Sequence, residues 1–498
     1  MKLKAIYRKW SAGRPIVILN EKDAKKIGAE VNNRVVIKHK SKIIIALVNT
    51  SRKIAKEGDA VLTTEVKEAL NFADGQIIDV ELAKNPRITQ IITKKLSGKE
   101  LSKSEITKII SEIVKNALTE TEIAFFISAV YKVGMSLNET KWLTEAMLET
   151  GKQLDIKRKI IADKHCIGGI AGNRTTPIVV SICAAEGITI PKSSSRAITS
   201  AAGTADVMES ICRVEFDAEE IKRIILKTNA CLVWGGALGF APADDKIIKV
   251  EKMINIDPEP NLIASILAKK LAVRSNHVLI DIPYGTSAKV NKKGAEKLKK
   301  TFEKLGKMFK IKLKCVLTDG NQPIGNGIGP ILEMRDVISV LKGDGPHDLR
   351  EKSIFLAGKI FELCNIAEKN KGGILAKEIL DSGKAFKKFE QIVKAQGAKG
   401  SLMDKLSYAK FYININSKKS GIIKSIDNKK INLLARIAGS PDDKKAGVYL
   451  WKHAENKIQT REKIITIYSQ SKKRLEDAVS FYKENEIIGV VRNPNQKV

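Results

Sequence analysis

Between Asp163 and Asp206 the chain gathers, in two short clusters, the side chains that phosphate chemistry asks for. The first offers Lys164, His165, Gly168, Gly169, Gly172, Arg174, Thr175 and Thr176; the second offers Ser193, Ser194, Ser195, Arg196, Thr199, Ser200 and Thr204. Such loops wrap phosphate oxygens with backbone N–H groups, hydroxyls and a Lys or Arg, and glycine lets the backbone close on the anion. A plain glycine-rich turn has the same composition. Here, however, the two clusters flank one apolar run, 178–185, with Pro177 placed to suit a helix N-terminus. Neither G-x-x-x-x-G-K-[ST] nor G-x-G-x-x-G occurs, which sets NTPase and dinucleotide readings aside.

These clusters need a scaffold. From 160 to about 400, helices alternate with short apolar strands at 160–163, 230–234, 277–282 and 314–319, the pattern of a largely parallel sheet covered by helices. Glycine-rich segments at 235–236, 285–287 and 320–325 follow strand ends, where ligands of such sheets bind. Residues 88–152 read as helices, with capping boxes at Ser102/Glu105, Thr119/Glu122 and Ser136/Glu139; Trp142 and Met147 suit core packing there. Residues 1–84 hold β-branched runs at 17–19, 34–38, 42–48, 59–63 and 77–82 and one helix opened by Asn20, a small β-barrel with a structural or assembly role. Lys84–Arg87 reads as a linker. Strands and a last helix, 475–486, fill 405–498. The expected class is α/β, divided at 1–84, 88–152, 153–404 and 405–498.

Composition narrows the partners. With 498 residues, 43% hydrophobic and 29% charged, the chain has the makings of several folded domains. A net charge of +32 favours anionic partners. The lysines are dispersed and aromatics are only 5%, unlike single-strand binders, so nucleic acid is not expected. The six cysteines and five histidines are scattered, which predicts reduced thiols, a cytoplasmic setting and no metal. No signal peptide, membrane span or cofactor motif is read.

The strings K-H-x-x-G-G-x-A-G-N-R-T-T and S-S-R-x-x-x-S-x-x-G-T-x-D resemble the thymidine/pyrimidine-nucleoside phosphorylase family, most closely its archaeal branch acting on nucleoside 5′-monophosphates. The resemblance, from about residue 88 onward, implies a nucleoside phosphorylase type II-like fold: a helical domain, a large mixed or parallel-sheet α/β domain and a C-terminal α+β appendix, with the barrel as an addition. It implies phosphorolysis of AMP, with CMP and UMP as further substrates, to free base and ribose 1,5-bisphosphate in nucleotide salvage. Inorganic phosphate is the co-substrate, no cofactor is needed, and the assembly is a homodimer or larger.

Carried over residue by residue, the resemblance gives Lys164, Thr176, Ser194 and Thr204 to the attacking phosphate. Cys166 replaces the family's serine, and Thr175 is the nearest substitute donor. Gly169, Ser195, Arg196, Ala197, Ile198, Thr199, Ser200, Thr204, Ser265 and Lys289 are implied to contact the nucleotide. Ser265 and Lys269 match the pair that holds pyrimidine carbonyls, but the accompanying arginine is missing, its place taken by Val250 or Glu251. A purine leaves well only when protonated at N7, and Asp257 is the implied donor, provided burial raises its pKa; it is equally a helix cap. His165 lines the sugar or phosphate in this reading, or is simply structural. Three other readings stay open: a pyrimidine-nucleoside phosphorylase, an anthranilate phosphoribosyltransferase-like enzyme needing Mg²⁺, and a basic RNA-binding protein with an inactive core.

Overall fold

The computed structural model of the chain describes residues 1–83, 88–197 and 200–491, so Lys84–Arg87, Ile198 and Thr199 lie outside the described residues. Contacts divide the chain into two units: Met1–Thr150 with Pro242–Ala264, and Gly151–Ala241 with Ser265–Val498.

The first unit opens with a closed six-stranded barrel. Its order is Lys2–Tyr7, Asp59–Leu62, Ile16–Leu19, Lys42–Thr50, Arg34–His39 and Ile77–Leu82, which returns to the first strand. Strict alternation builds it: Leu3, Ala5, Val17, Leu19, Val35 and Ile37 turn inward, and their neighbours face out. The sequence reading missed Lys2–Tyr7 because its outward positions are lysines, and missed the short helix Thr64–Leu70.

Helices Ile88–Leu96, Lys103–Val114, Glu120–Val133 and Leu137–Glu149 follow, and all three capping boxes form. Met147 is core, as expected. Residues 242–264, which by sequence fall within the α/β part, group by contacts with this unit. Helix Pro242–Ile254 buries Ala243, Ile247 and Val250 against the bundle. Its Lys246 Nζ donates to the carbonyls of Ile113 (3.0 Å) and Val114 (2.8 Å), a cation at a helix C-terminus.

In the second unit, strands Lys312–Asp319, His277–Tyr284 and Ala162–Cys166 run parallel side by side, and Ile190–Ser194 pairs in parallel with Ala230–Trp234. A parallel bridge from Ile161 to Thr189 joins the two sets. All five carboxyl ends therefore reach one edge. Helix Thr175–Ala185 is apolar on every side and is buried among helices His347–Leu363 and Lys384–Ala395. The strand at 190–194 is a departure from the loop that the sequence predicts, since P-K-S-S carries no β signal.

The C-terminal part has an antiparallel four-stranded sheet (Gly327–Ile328, Gly447–Leu450, Lys463–Ser469, Phe411–Asn416) and a three-stranded one. Helices Asn428–Ala438 and Lys472–Glu484 pack together over its core. Among the described residues, no helix is long and apolar enough to cross a membrane.

Candidate functional site

Strand 162–166 delivers alternating charges to the sheet edge. Asp163 is fully buried and pairs with Lys270 (2.7 Å) and Lys192 (3.4 Å). Lys164, also buried, donates from Nζ to Thr175 Oγ1 at 2.7 Å, across the start of helix 175–185. Burial pulls this ammonium down to about 8, while the carboxylate of Asp281 favours its charge. His165 is held well below the ordinary imidazole value, by burial first and then by Lys270, Lys192, Lys269 and Lys164. It is a neutral imidazole at pH 7.

Cys166 folds the first loop. Its sulfur accepts from Gly168 N (3.5 Å) and Asn173 Nδ2 (3.4 Å), and burial with Asp281 nearby raises its pKa, keeping it a thiol. The loop continues through Gly169, whose φ of +91° favours glycine; a Cβ there would sit 2.7 Å from the backbone nitrogen of Lys289. Lys289 is thereby brought against the first anion loop from 120 positions away (289 − 169).

Arg174 closes the loop and ties it to the second. Its Nε donates to Glu333 Oε2 (2.7 Å), Nη1 to Thr204 Oγ1 (2.8 Å) and Nη2 to the Ala202 carbonyl (2.8 Å). Glu333 is buried, and desolvation pushes its carboxyl up while Arg174 opposes it. Arg174→Met is expected to leave that carboxylate unpaired and cost about 3–5 kcal/mol, read from the denaturation midpoint, with Glu333→Leu recovering much of the loss.

In the second loop, the Ser193 and Ser194 hydroxyls at the end of strand 190–194 are buried with no hydrogen-bond partner among the described residues. Buried hydroxyls rarely go unmatched, and an anion's oxygens would match them. Asp206 shapes the loop by accepting from Ala197 N (2.7 Å) and Gly203 N (2.8 Å). Thr204 begins helix Thr204–Glu209, and Thr175 and Thr176 begin the helix across from it.

Arg196 is held by carboxylates. Its guanidinium meets Glu209 at 2.6 and 2.7 Å and Glu215 at 3.0 Å, and lies 4.7 Å over Trp234. These carboxylates, Glu209 first, hold its pKa up. Its charge is already matched, so the side chain anchors the loop, while Ser195 is exposed and Ser200 Oγ donates to the Ala202 carbonyl at 3.1 Å.

Lys269 Nζ donates to Ser265 Oγ at 3.1 Å, one turn apart in helix Glu259–Ala272. Of Val250 and Glu251, the two candidates for the place of the missing arginine, Val250 is buried and Glu251 accepts from Asn261 Nδ2 at 2.9 Å. Asp257, in the first unit between two helices, is exposed, so the burial asked of a proton donor is not present in this structure. Among the described residues, no group of three or more His, Cys, Asp or Glu is placed to hold a metal.

Sequence reasoning missed the partners more than the loops. Glu333 lies 159 residues from Arg174, and Lys192, Lys270 and Lys352 looked like ordinary lysines, yet Lys352 approaches the buried Asp281 to 3.3 Å.

Residues 89–151 match the helical bundle domain of the glycosyl transferase family, 158–386 its a/b domain, and 422–488 the pyrimidine nucleoside phosphorylase C-terminal domain. The chain is 40% identical to the AMP phosphorylase of Natronomonas pharaonis, covering 96% of this chain and 95% of that one. Identity to the Methanocaldococcus jannaschii AMP phosphorylase is 42% (93% of each chain), and to that of Thermococcus kodakarensis 41% (98% of each). The crystal structure of anthranilate phosphoribosyltransferase from Thermus thermophilus superposes with a TM-score of 0.52 at 18% identity, over 62% of this chain and 99% of that one, a likeness of fold.

Proposed function

The chain belongs to the AMP phosphorylase family and catalyses AMP phosphorolysis, and from that premise we propose how its residues divide the work. Lys164, Thr175, Thr176, Ser194 and Thr204 hold the attacking phosphate. A phosphate oxygen bonds to C1′ as the C1′–N bond breaks, and the electron pair leaves with the base. The products are adenine and ribose 1,5-bisphosphate. Gly169, Lys289, Thr204 and the segment 195–200 meet the 5′-phosphate end of the nucleotide, with Arg196 acting through the loop it anchors.

The observation that supports this reading is the close approach of Gly169 to the Lys289 backbone, which brings the Lys289 turn against the loop that begins at Lys164. Ser265 and Lys269 take the base and admit CMP and UMP; protonation of a purine falls to Asp257, which is exposed here and acts as the donor once bound substrate buries it. Positive charge comes from lysines, and the reaction needs no cofactor or metal. The enzyme works in the cytoplasm as a homodimer or larger assembly and takes no nucleic acid.

The test is release of free base from each nucleoside monophosphate, with adenosine beside AMP and with EDTA added. Phosphate-dependent adenine release that survives EDTA and far exceeds cleavage of adenosine is expected. Equal turnover of adenosine would return the chain to the nucleoside phosphorylases.

A further inference from the structure

Both anion loops reach into the C-terminal part for their last hydrogen bonds. Ala171 N, in the first loop, donates to Asn428 Oδ1 at 3.0 Å. Ala201 N, in the second, donates to Asn432 Oδ1 at 2.9 Å. The two asparagines are one turn apart at the start of helix 428–438, and Asn432 Nδ2 donates back to the Asn428 carbonyl at 2.9 Å. Asn428 Nδ2 goes on to the Gly320 carbonyl and to Ser287 Oγ, both at 3.1 Å. Ser287 lies in the same turn as Lys289, two residues on. The methyl groups of Ala171 and Ala201 also sit in the apolar core built from Ile423, Ile431, Leu434 and Val448.

The pattern demands carboxamides. Asn428 is fully buried and must accept from one loop while donating to two others, which neither a carboxylate nor a hydroxyl can do in the same place. Packing alone would have been served by any apolar residue.

We propose that Asn428 and Asn432 are positioning residues that fix the spacing between the two phosphate-binding loops and the Lys289 turn, and so set the affinity for AMP. This rests on the reading of those loops as nucleotide contacts. The bond to each loop is separate. Asn432→Ala removes the acceptor for Ala201 N and the bond back to the Asn428 carbonyl, whereas Asn428→Ala removes the acceptor for Ala171 N and the side-chain donor to Gly320 and Ser287, leaving the Asn428 backbone N–H on Ser287 Oγ.

The test uses the full chain. KM for AMP is expected to rise about 10- to 100-fold in each variant, with kcat changed only a few-fold, because loops that grip the non-reacting end of the nucleotide supply binding shared by ground and transition states. KM does not depend on the fraction of protein that is folded, so partial misfolding cannot imitate this result. Amide hydrogen exchange supplies a second readout: residues 167–173 exchange faster in Asn428→Ala, and residues 200–204 in Asn432→Ala. Wild-type KM with wild-type exchange in both variants overturns the proposal. A wild-type protein that releases no adenine overturns the functional reading instead, and the exchange measurement still decides whether the asparagines hold the loops.

Discussion

Lys164→Met is expected to lower kcat/KM for phosphate by about 10²- to 10³-fold, the usual loss when one preorganised electrostatic contact to a reacting anion is removed. The same change should not weaken the fold. Burial pulls the Lys164 ammonium down to about 8, so the folded state holds its proton less firmly than the unfolded chain does. Below pH 8 the group is charged in both states, and folding bears the full cost of burying it. As pH rises from about 8 toward 10.5 the folded protein sheds the proton first, the unfolded chain binds more protons, and the stability contributed by this group rises with pH. Methionine removes the charged group at neutral pH, so the variant should melt no lower than the parent. Activity has its own pH signature: the wild type loses phosphate affinity above pH 8, approaching tenfold per unit, as the amine sheds its charge, and Lys164→Met shows no such limb. A melting temperature that falls with activity would make Lys164 a structural residue.

Asp257→Asn should split the substrates. A purine needs a proton at N7 as it leaves, and a positioned acid is worth about 10²–10⁴ in rate. AMP turnover is therefore expected to fall by at least about 10²-fold, while CMP and UMP, whose carbonyl oxygens would be held by Ser265 and Lys269, lose much less. The measurement is kcat for the three nucleotides at saturating phosphate. Equal rates for wild type and variant on AMP would mean that the proton comes from solvent, in keeping with the exposed place Asp257 has here.

What could be read from the chain beforehand follows the range of the forces involved. Local signals were legible. The capping boxes, the strand at 230–234 and five barrel strands all declare themselves within a few residues. The two loops around helix 175–185 were visible from residue types alone. Helix 428–438 could have been found as well, since Asp427 caps it and Ile431, Leu434, Ala435 and Ala438 keep helical spacing. Long-range partnerships were not legible. Nothing near Ala171 announces that its amide is received 257 residues later, and nothing around Arg196 reveals the carboxylates that claim its charge. The return of 242–264 to the first unit was hidden for the same reason, because an amphipathic helix states which face it buries and not against what.

The ring of strands at the N-terminus has every backbone edge engaged, since Lys2–Tyr7 pairs both with Asp59–Leu62 and with Ile77–Leu82. Joining to another copy by extending the sheet is thereby ruled out for this module. Any association it supports must be made by side chains projecting from the cylinder wall, where Ile43 and Ile77 already stand in solvent.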